Sequence, residues 1–354
     1  MDAPKRRKLY LDFLKILGAF LVIYNHTAGY HYYLNHFNTP ARIFITILPS
    51  SLTRINVPLF FMISGALLLG KEESYRDLFC RRIVRFASVL FLASLTLYTA
   101  GHLRDFRLGD AIADTLTCEV TGVYWFLFAY LGLLAALPFL RKIAAAMSGP
   151  DFCFLVLCRF AFSCMKAASY FFRLWDLEPV GIAGDFSIPF VLIDFLFYPL
   201  IGYYLDRHIS LESIRKALPW LIAIILGDTL ISGSITCHQY LLGERNQNYL
   251  GIFNFMSTIS VFLIVRYAFA KWEPKLQGTS AEKWLTNLSM LTLGIYLTDP
   301  FLKEQLDLFE QMNTWTGGQI HIIPLSILYC FVSITIGACV TWLLKKLPGL
   351  KKIL

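Results

Sequence analysis

The sequence predicts an all-α fold, a polytopic transmembrane helical bundle of about ten spans with both termini cytoplasmic. Three observations predict it. Of 354 residues, 56% are hydrophobic and only 16% charged, whereas soluble domains run nearer a quarter charged. The mean hydropathy is +0.57, so a water-soluble core could not hide this much apolar surface. Basic residues also gather in alternate loops, as the positive-inside rule requires.

The elements follow in order. The opening MDAPKRRK precedes an apolar run that is too long for a cleavable leader and lacks a small-residue cleavage site. It reads as a retained first span, Leu9–Tyr30. Further windows long enough to cross the hydrocarbon are Ile55–Leu69, Ile83–Gly101, Tyr124–Leu140, Phe152–Phe172 and Phe186–Leu205. Leu218–Ile235, Tyr249–Phe269, Leu285–Leu302 and Ile322–Leu344 complete the set. The second, fourth and ninth are short or interrupted, and the fifth contains Arg159 and Lys166. Ile43–Leu48 is expected as a short interfacial helix. The stretches His31–Arg54 and His102–Gly122 read as long polar outer loops, the kind that carry binding residues.

Ten spans place both termini on one side. Lys5, Arg6, Arg7 and Lys8 lie there, as do Lys345, Lys346, Lys351 and Lys352. Roughly twenty basic residues fall on this face against about seven on the other, which makes it cytoplasmic. The chain reads as a single integral-membrane domain over residues 1–354, without linker, repeat or soluble appendage.

The formal charge of +8 is explained by those loops. No basic run is interleaved with aromatics as RNA binding would require, so no nucleic acid is expected. Five of the eight cysteines lie in apolar runs, where they act as small hydrophobes. No C-x-x-C pair occurs, and no metal is expected. Cys118 and Cys237 both fall toward the outer face, where a disulfide can form.

The residues that could carry chemistry begin on the first span. Asp12, Lys15, Val22, His26 and Gly29 follow spacings of three, seven, four and three. At about 100° per residue these share one helix face. Asp12 and Lys15 can pair, which lowers the cost of burying both. Snorkelling of Lys15 and His26 to the two interfaces is the plainer reading. A column of polar groups on one face, however, normally borders a protein interior or an aqueous cavity. A histidine there can act as a general base near neutral pH.

Four other stretches stand out. The second span holds Pro58 and the Ser64-Gly65 pair, which permit a bend or a close helix approach. Arg81, Arg82 and Arg85 open the third span; they can grip an anion such as phosphate or simply anchor the helix at lipid headgroups. Tyr124 and Trp125 open the fourth span, as an aromatic belt would. Tyr296 and Asp299 lie in an apolar setting, where Asp299-Pro300 is either a break lining a cavity or a helix end.

On these residues the sequence resembles the membrane acyltransferase 3 family, and most closely its branch that O-acetylates bacterial surface polysaccharides. That family's first helix carries Asp/Asn-x-x-Arg and, eleven residues after the Arg, a His; here Asp12-Phe-Leu-Lys15 is followed by His26. Val57–Leu68 is similar to the family's V-P-L-F-F-x-x-S-G-x-L-L. The basic opening at Arg81, Arg82 and Arg85 and the Tyr124-Trp125 pair resemble family features. Gly294–Pro300 resembles the late G-I-Y-L-x-H-P, with Asp299 in place of His. Lys15 in place of Arg keeps the charge but loses the planar fork.

The resemblance implies transfer of an acyl group, by its branch acetyl, from cytoplasmic acyl-CoA to a hydroxyl of an extracytoplasmic or lipid-linked saccharide. His26 is then the general base, with Asp12 and Lys15 as its catalytic company. Lys15 or an arginine supplies charge for the developing oxyanion. Arg81, Arg82 and Arg85 bind the CoA phosphates, while Ser64, Tyr124, Trp125, Tyr296 and Asp299 line the substrate path. Asp299 orients the base or a sugar hydroxyl. The expected setting is a bacterial cell (inner) membrane, with membrane lipid, acyl-CoA and the surface glycan as partners. Two other classes compete. A transporter or flippase for a lipid-linked saccharide also buries charges, but no inverted repeat is evident. A structural or sensory membrane protein needs no Asp12/Lys15/His26 column.

Overall fold

The computed structural model describes residues 7–27, 39–174, 193–243, 250–317 and 321–350. Gly29, the basic residues before Arg7, Lys351, Lys352 and the starts of the sixth and eighth expected spans lie outside them. Among the described residues the regular structure is all helical, joined by turns and without a strand. Among the described residues, seven stretches are long and apolar enough to cross a membrane, namely Leu9–His26, Pro40–Leu68, Tyr75–Gly101, Gly122–Ala146, Leu211–Leu241, Asn254–Leu276 and Ile322–Leu344. The protein is a multi-pass helical membrane protein.

The chain divides into two compact units, the first made of Met1–Gly29, Lys71–Pro138 and Glu273–Leu354. It opens with α1 (Leu9–His26), continuous over 18 residues. The helix α4 (Tyr75–Gly101) starts eight residues before the expected Ile83, and its first turns include a π segment over Leu78–Ile83. Arg81 and Arg82 therefore stand on a widened turn, a feature that recurs at functional sites. Next come α5 (Leu108–Thr117) and the first part of α6 (Trp125–Ala146), entered through a 3₁₀ turn at Gly122–Tyr124.

The expected ninth span is two helices, α11 (Ser280–Ser289) and α12 (Thr292–Pro300), separated by a turn at Met290–Leu291. Pro300 closes α12 and a second π segment follows over Phe301–Gln305. Its missing N–H and bulky ring account for the altered hydrogen bonding around it. Finally α13 (Leu308–Trp315) leads to α14 (Ile322–Leu344). Helix α1 packs against α11, α12 and α14, and α12 packs against α14. This brings sequence positions nearly 300 apart into one core.

The second unit comprises Tyr30–Gly70 and Phe139–Trp272. Here α2 (Pro40–Thr53) corrects two expectations: it is far longer than Ile43–Leu48, and it replaces much of the supposed outer loop. Pro40 at its first turn favours helix initiation. Ile43 and Ile47, one turn apart, bury against Cys237 and Leu250. The loop expected over His102–Gly122 is likewise partly helical, as α5. Helix α3 (Asn56–Leu68) crosses α8 (Asp194–His208) at close range. A Cβ at Gly65 would overlap the Pro199 backbone, and one at Gly202 would overlap that of Met62. The Ser64-Gly65 pair thus permits close helix approach, as small residues do in membranes. The unit is completed by α7 (Gly149–Leu174), α9 (Leu211–Leu241) and α10 (Asn254–Leu276).

All eight cysteines are free. The disulfide conceived between Cys118 and Cys237 is absent: Cys118 Sγ approaches Thr121 O at 3.5 Å, and Cys237 Sγ approaches Pro40 O at 3.8 Å.

Candidate active site

The polar column of α1 is anchored at both ends, each time on a buried carboxylate of the first unit. At the Leu9 end, Asp12 is 2% exposed. Arg7 grips it with both arms of its fork, Nε to Oδ2 at 2.6 Å and Nη2 to Oδ1 at 3.0 Å. Ser289 Oγ on α11 donates to Oδ1 at 2.6 Å. Lys15 Nζ stands further off, 3.5 Å from Oδ1. The hydrogen bonds to Asp12 push the Arg7 pKa above its already high value, so the guanidinium stays charged.

At the other end, His26 Nδ1 lies 2.8 Å from Asp299 Oδ2. Asp299 is 1% exposed. Its other oxygen, Oδ1, accepts from Ser333 Oγ at 2.8 Å and from Tyr329 OH at 3.2 Å, both on α14. A carboxylate oxygen that is ionised only accepts, so against such an oxygen Nδ1 is the donor, and in the Nδ1–H tautomer Nε2 keeps its lone pair. The Tyr296 ring lies beside the imidazole, with centroids 6.4 Å apart.

The aromatic pair is a clasp. Tyr124 OH donates to Leu297 O at 3.0 Å, and Tyr296 OH donates to Val123 O at 2.5 Å. Each hydroxyl crosses to the other's strand of chain, fixing the start of α6 on α12. Trp125, next in sequence, is 53% exposed. Ser64, in the second unit, returns its hydroxyl to Phe60 O at 2.8 Å.

The arginines line a cleft of about 220 Å³ together with Tyr130, Leu134 and Leu293. Arg81 is exposed and pairs with Asp77, while Arg82 lies across both oxygens of Glu73 at 2.7 and 2.8 Å. Val89 borders both this cleft and an apolar cavity of about 530 Å³ between α4, α12 and α14. Basic and apolar spaces are therefore neighbours.

The sequence placed Asp12, Lys15 and His26 on one face, and in the structure Asp12 and Lys15 pair while His26 stands apart from both. Helix α1 runs unbroken between Lys15 and His26, so they stay about 16 Å apart along the axis. Lys15 and His26 cannot act on one atom. Sequence reading missed Arg7, Ser289, Tyr329 and Ser333. Arg7 was absorbed into a charge anchor; the others are hydroxyls inside or beside apolar runs.

The family model described as an acyltransferase domain, of the acyltransferase 3 type, matches residues 8–343. The chain belongs to this acyltransferase family. No curated protein and no solved structure matches it. Within an acyltransferase, a histidine oriented by a carboxylate is equipped to take a proton from a nucleophile.

Proposed function

We propose that this acyltransferase moves an acyl group, acetyl by the family branch it resembles, from acyl-CoA to a hydroxyl of an extracytoplasmic or lipid-linked saccharide. The observation that carries the reading is the His26–Asp299 contact at 2.8 Å, within a chain of the acyltransferase family.

In this reading His26 Nε2 takes the proton of the sugar hydroxyl as its oxygen attacks the thioester carbonyl. The tetrahedral intermediate collapses, the C–S bond breaks, and the CoA thiolate leaves with the proton held by His26. Asp299 balances the transient imidazolium. The donor's phosphates sit on Arg81, Arg82 and Arg85 at the cytoplasmic face, where planar guanidinium groups suit them. A donor anchored there meets the apolar cavity past Val89. Lys15, held loosely by Asp12, serves the donor's polar groups and not the oxyanion at His26. Tyr124, Trp125 and Tyr296 shape the path more than they bind. The setting is a bacterial inner membrane with both termini cytoplasmic, supported by the basic loops.

The test is mass spectrometry of surface glycans from cells with the protein, without it, and with His26→Ala. Loss of one defined acyl group in the last two identifies the reaction and its base. Full acylation with a well-expressed His26→Ala protein removes His26 from that role. The rival, a saccharide flippase, predicts no binding of acetyl-CoA to the purified protein.

A further inference from the structure

Helix α14 is the most apolar of the seven candidate spans. Its buried face nevertheless carries Ser326, Tyr329 and Ser333, at spacings of three and four that put them on one side. All three are at most 1% exposed. A hydroxyl buried in a membrane helix usually returns to a carbonyl one turn back. The buried Thr341 of the same helix does so, donating to Gly337 O at 2.6 Å. The stripe behaves differently, because its hydroxyls reach sideways. Ser326 meets Thr27, the residue after His26, with oxygens 3.0 Å apart. Tyr329 and Ser333 both donate to Asp299 Oδ1.

We propose that Ser333 and Tyr329 are positioning residues, a two-donor clamp that fixes Asp299 so that one oxygen alone serves His26. The inference rests on the general-base reading of His26. Its logic is geometric. A carboxylate can turn about its Cβ–Cγ bond and present either oxygen. Two donors on Oδ1 stop that rotation and direct Oδ2 at Nδ1. The imidazole is then held as the Nδ1–H tautomer, with Nε2 free to accept a proton. Tyr329 is itself braced by Phe309 on α13, the rings meeting edge to face at 5.4 Å. The family pattern has a histidine at the position of Asp299, so this clamp belongs to the chain's own replacement. It explains why hydroxyls appear at these points of α14.

The experiment uses the full-length protein, labelled with ¹⁵N-histidine in lipid vesicles, as wild type, Ser333→Ala, Tyr329→Phe and the double variant. Each single variant removes only one oxygen, and thermal melting reports whether the fold survives. The His26 nitrogen shifts read the tautomer directly, without any turnover. We expect an Nδ1–H tautomer in the wild type and a mixture in the variants, greatest in the double. With acetyl-CoA as the donor probe and acylation of isolated surface glycan as the readout, kcat falls roughly tenfold per single variant while KM for acetyl-CoA holds. A folded double variant that keeps the wild-type tautomer overturns the clamp. Should His26→Ala remain active, the general-base reading falls, while the tautomer spectra still decide the clamp by themselves.

Discussion

The two ends of α1 make a controlled comparison. Each holds a carboxylate that is almost wholly buried, Asp12 at 2% and Asp299 at 1% exposure. Each carboxylate accepts from three side chains. At the Leu9 end these are Arg7, Lys15 and Ser289. At the other end they are His26, Ser333 and Tyr329. Burial and the number of partner side chains are therefore matched, and the partners' chemistry differs. Arg7 keeps its charge at any working pH, so its pairing with Asp12 and Ser289 ties α1 to α11, and the expectation tested below is that this cluster acts as a lock. In the proposed reading His26 takes the proton of the substrate hydroxyl, so the Asp299 cluster is the working end. Buried charge alone does not mark catalysis; a partner able to exchange a proton does.

The comparison is broken most severely at His26. His26→Ala is expected to insert and fold, yet lose on the order of 10³–10⁴-fold in acyl transfer, the upper range for a general base. Activity is read as acyl content of surface glycan, and folding as the melting profile of purified protein. A parallel loss of folded protein would place His26 with Asp12 as a lock. Asp299→Asn keeps the shape but can present its amide to Nδ1. It is expected to cost on the order of 10²–10³-fold, since the wrong tautomer leaves Nε2 protonated. ¹⁵N spectra of His26 should show the tautomer inverted.

Asp12→Ala sharpens the contrast from the other side. Removing one partner of a buried ion pair costs roughly 3–5 kcal/mol when the other charge stays buried. Arg7 is 43% exposed, so water screens part of that and about 2 kcal/mol is the expectation. Melting temperature should fall, and activity should fall only in proportion to folded protein. A catalytic loss with unchanged melting would mean that the inner cluster is more than a lock.

Much of this was legible in the sequence, and the gaps have physical causes. The long apolar runs announce their spans because the bilayer allows little else. Of the helix over 40–53 only Ile43–Leu48 was read as helix, because the half-polar remainder read as a loop, although Thr39-Pro40 is a recognisable helix start. Helical phase put Asp12, Lys15 and His26 on one face. It could not pair His26 with Asp299, which lies 273 positions away and meets it only through packing of α1 on α12. The resemblance pointed to position 299 but predicted a histidine there. Arg7 hid among basic neighbours, since a charge anchor and a carboxylate clamp look alike in one dimension. Ser326, Tyr329 and Ser333 did leave a signal, a three-and-four spacing of hydroxyls in an otherwise apolar helix.

The smallest expected effect concerns the arginines, and it asks whether a third cluster resembles the lock or the working end. Arg82 is tied to both oxygens of Glu73, and Arg81 is largely in solvent beside Asp77. Arg85 sits one turn further into the helix, in the same cleft as Tyr130 and Leu293. If the cleft takes the phosphates of acyl-CoA, Arg85→Ala should raise KM for acetyl-CoA about three- to tenfold with kcat nearly unchanged. That is the size expected when one charge-assisted contact of a partly solvated anion is removed. The penalty should shrink as salt rises, because screening already weakens the contact in the wild type. Arg81→Ala should change KM less than about twofold, as an exposed ion pair contributes little. Steady-state kinetics at two ionic strengths separates the cases. Equal effects from Arg81 and Arg85 would mean a diffuse basic surface facing lipid headgroups. A selective, salt-sensitive effect at Arg85 would make the cleft a donor site, leaving Asp12 as the lock among the three clusters.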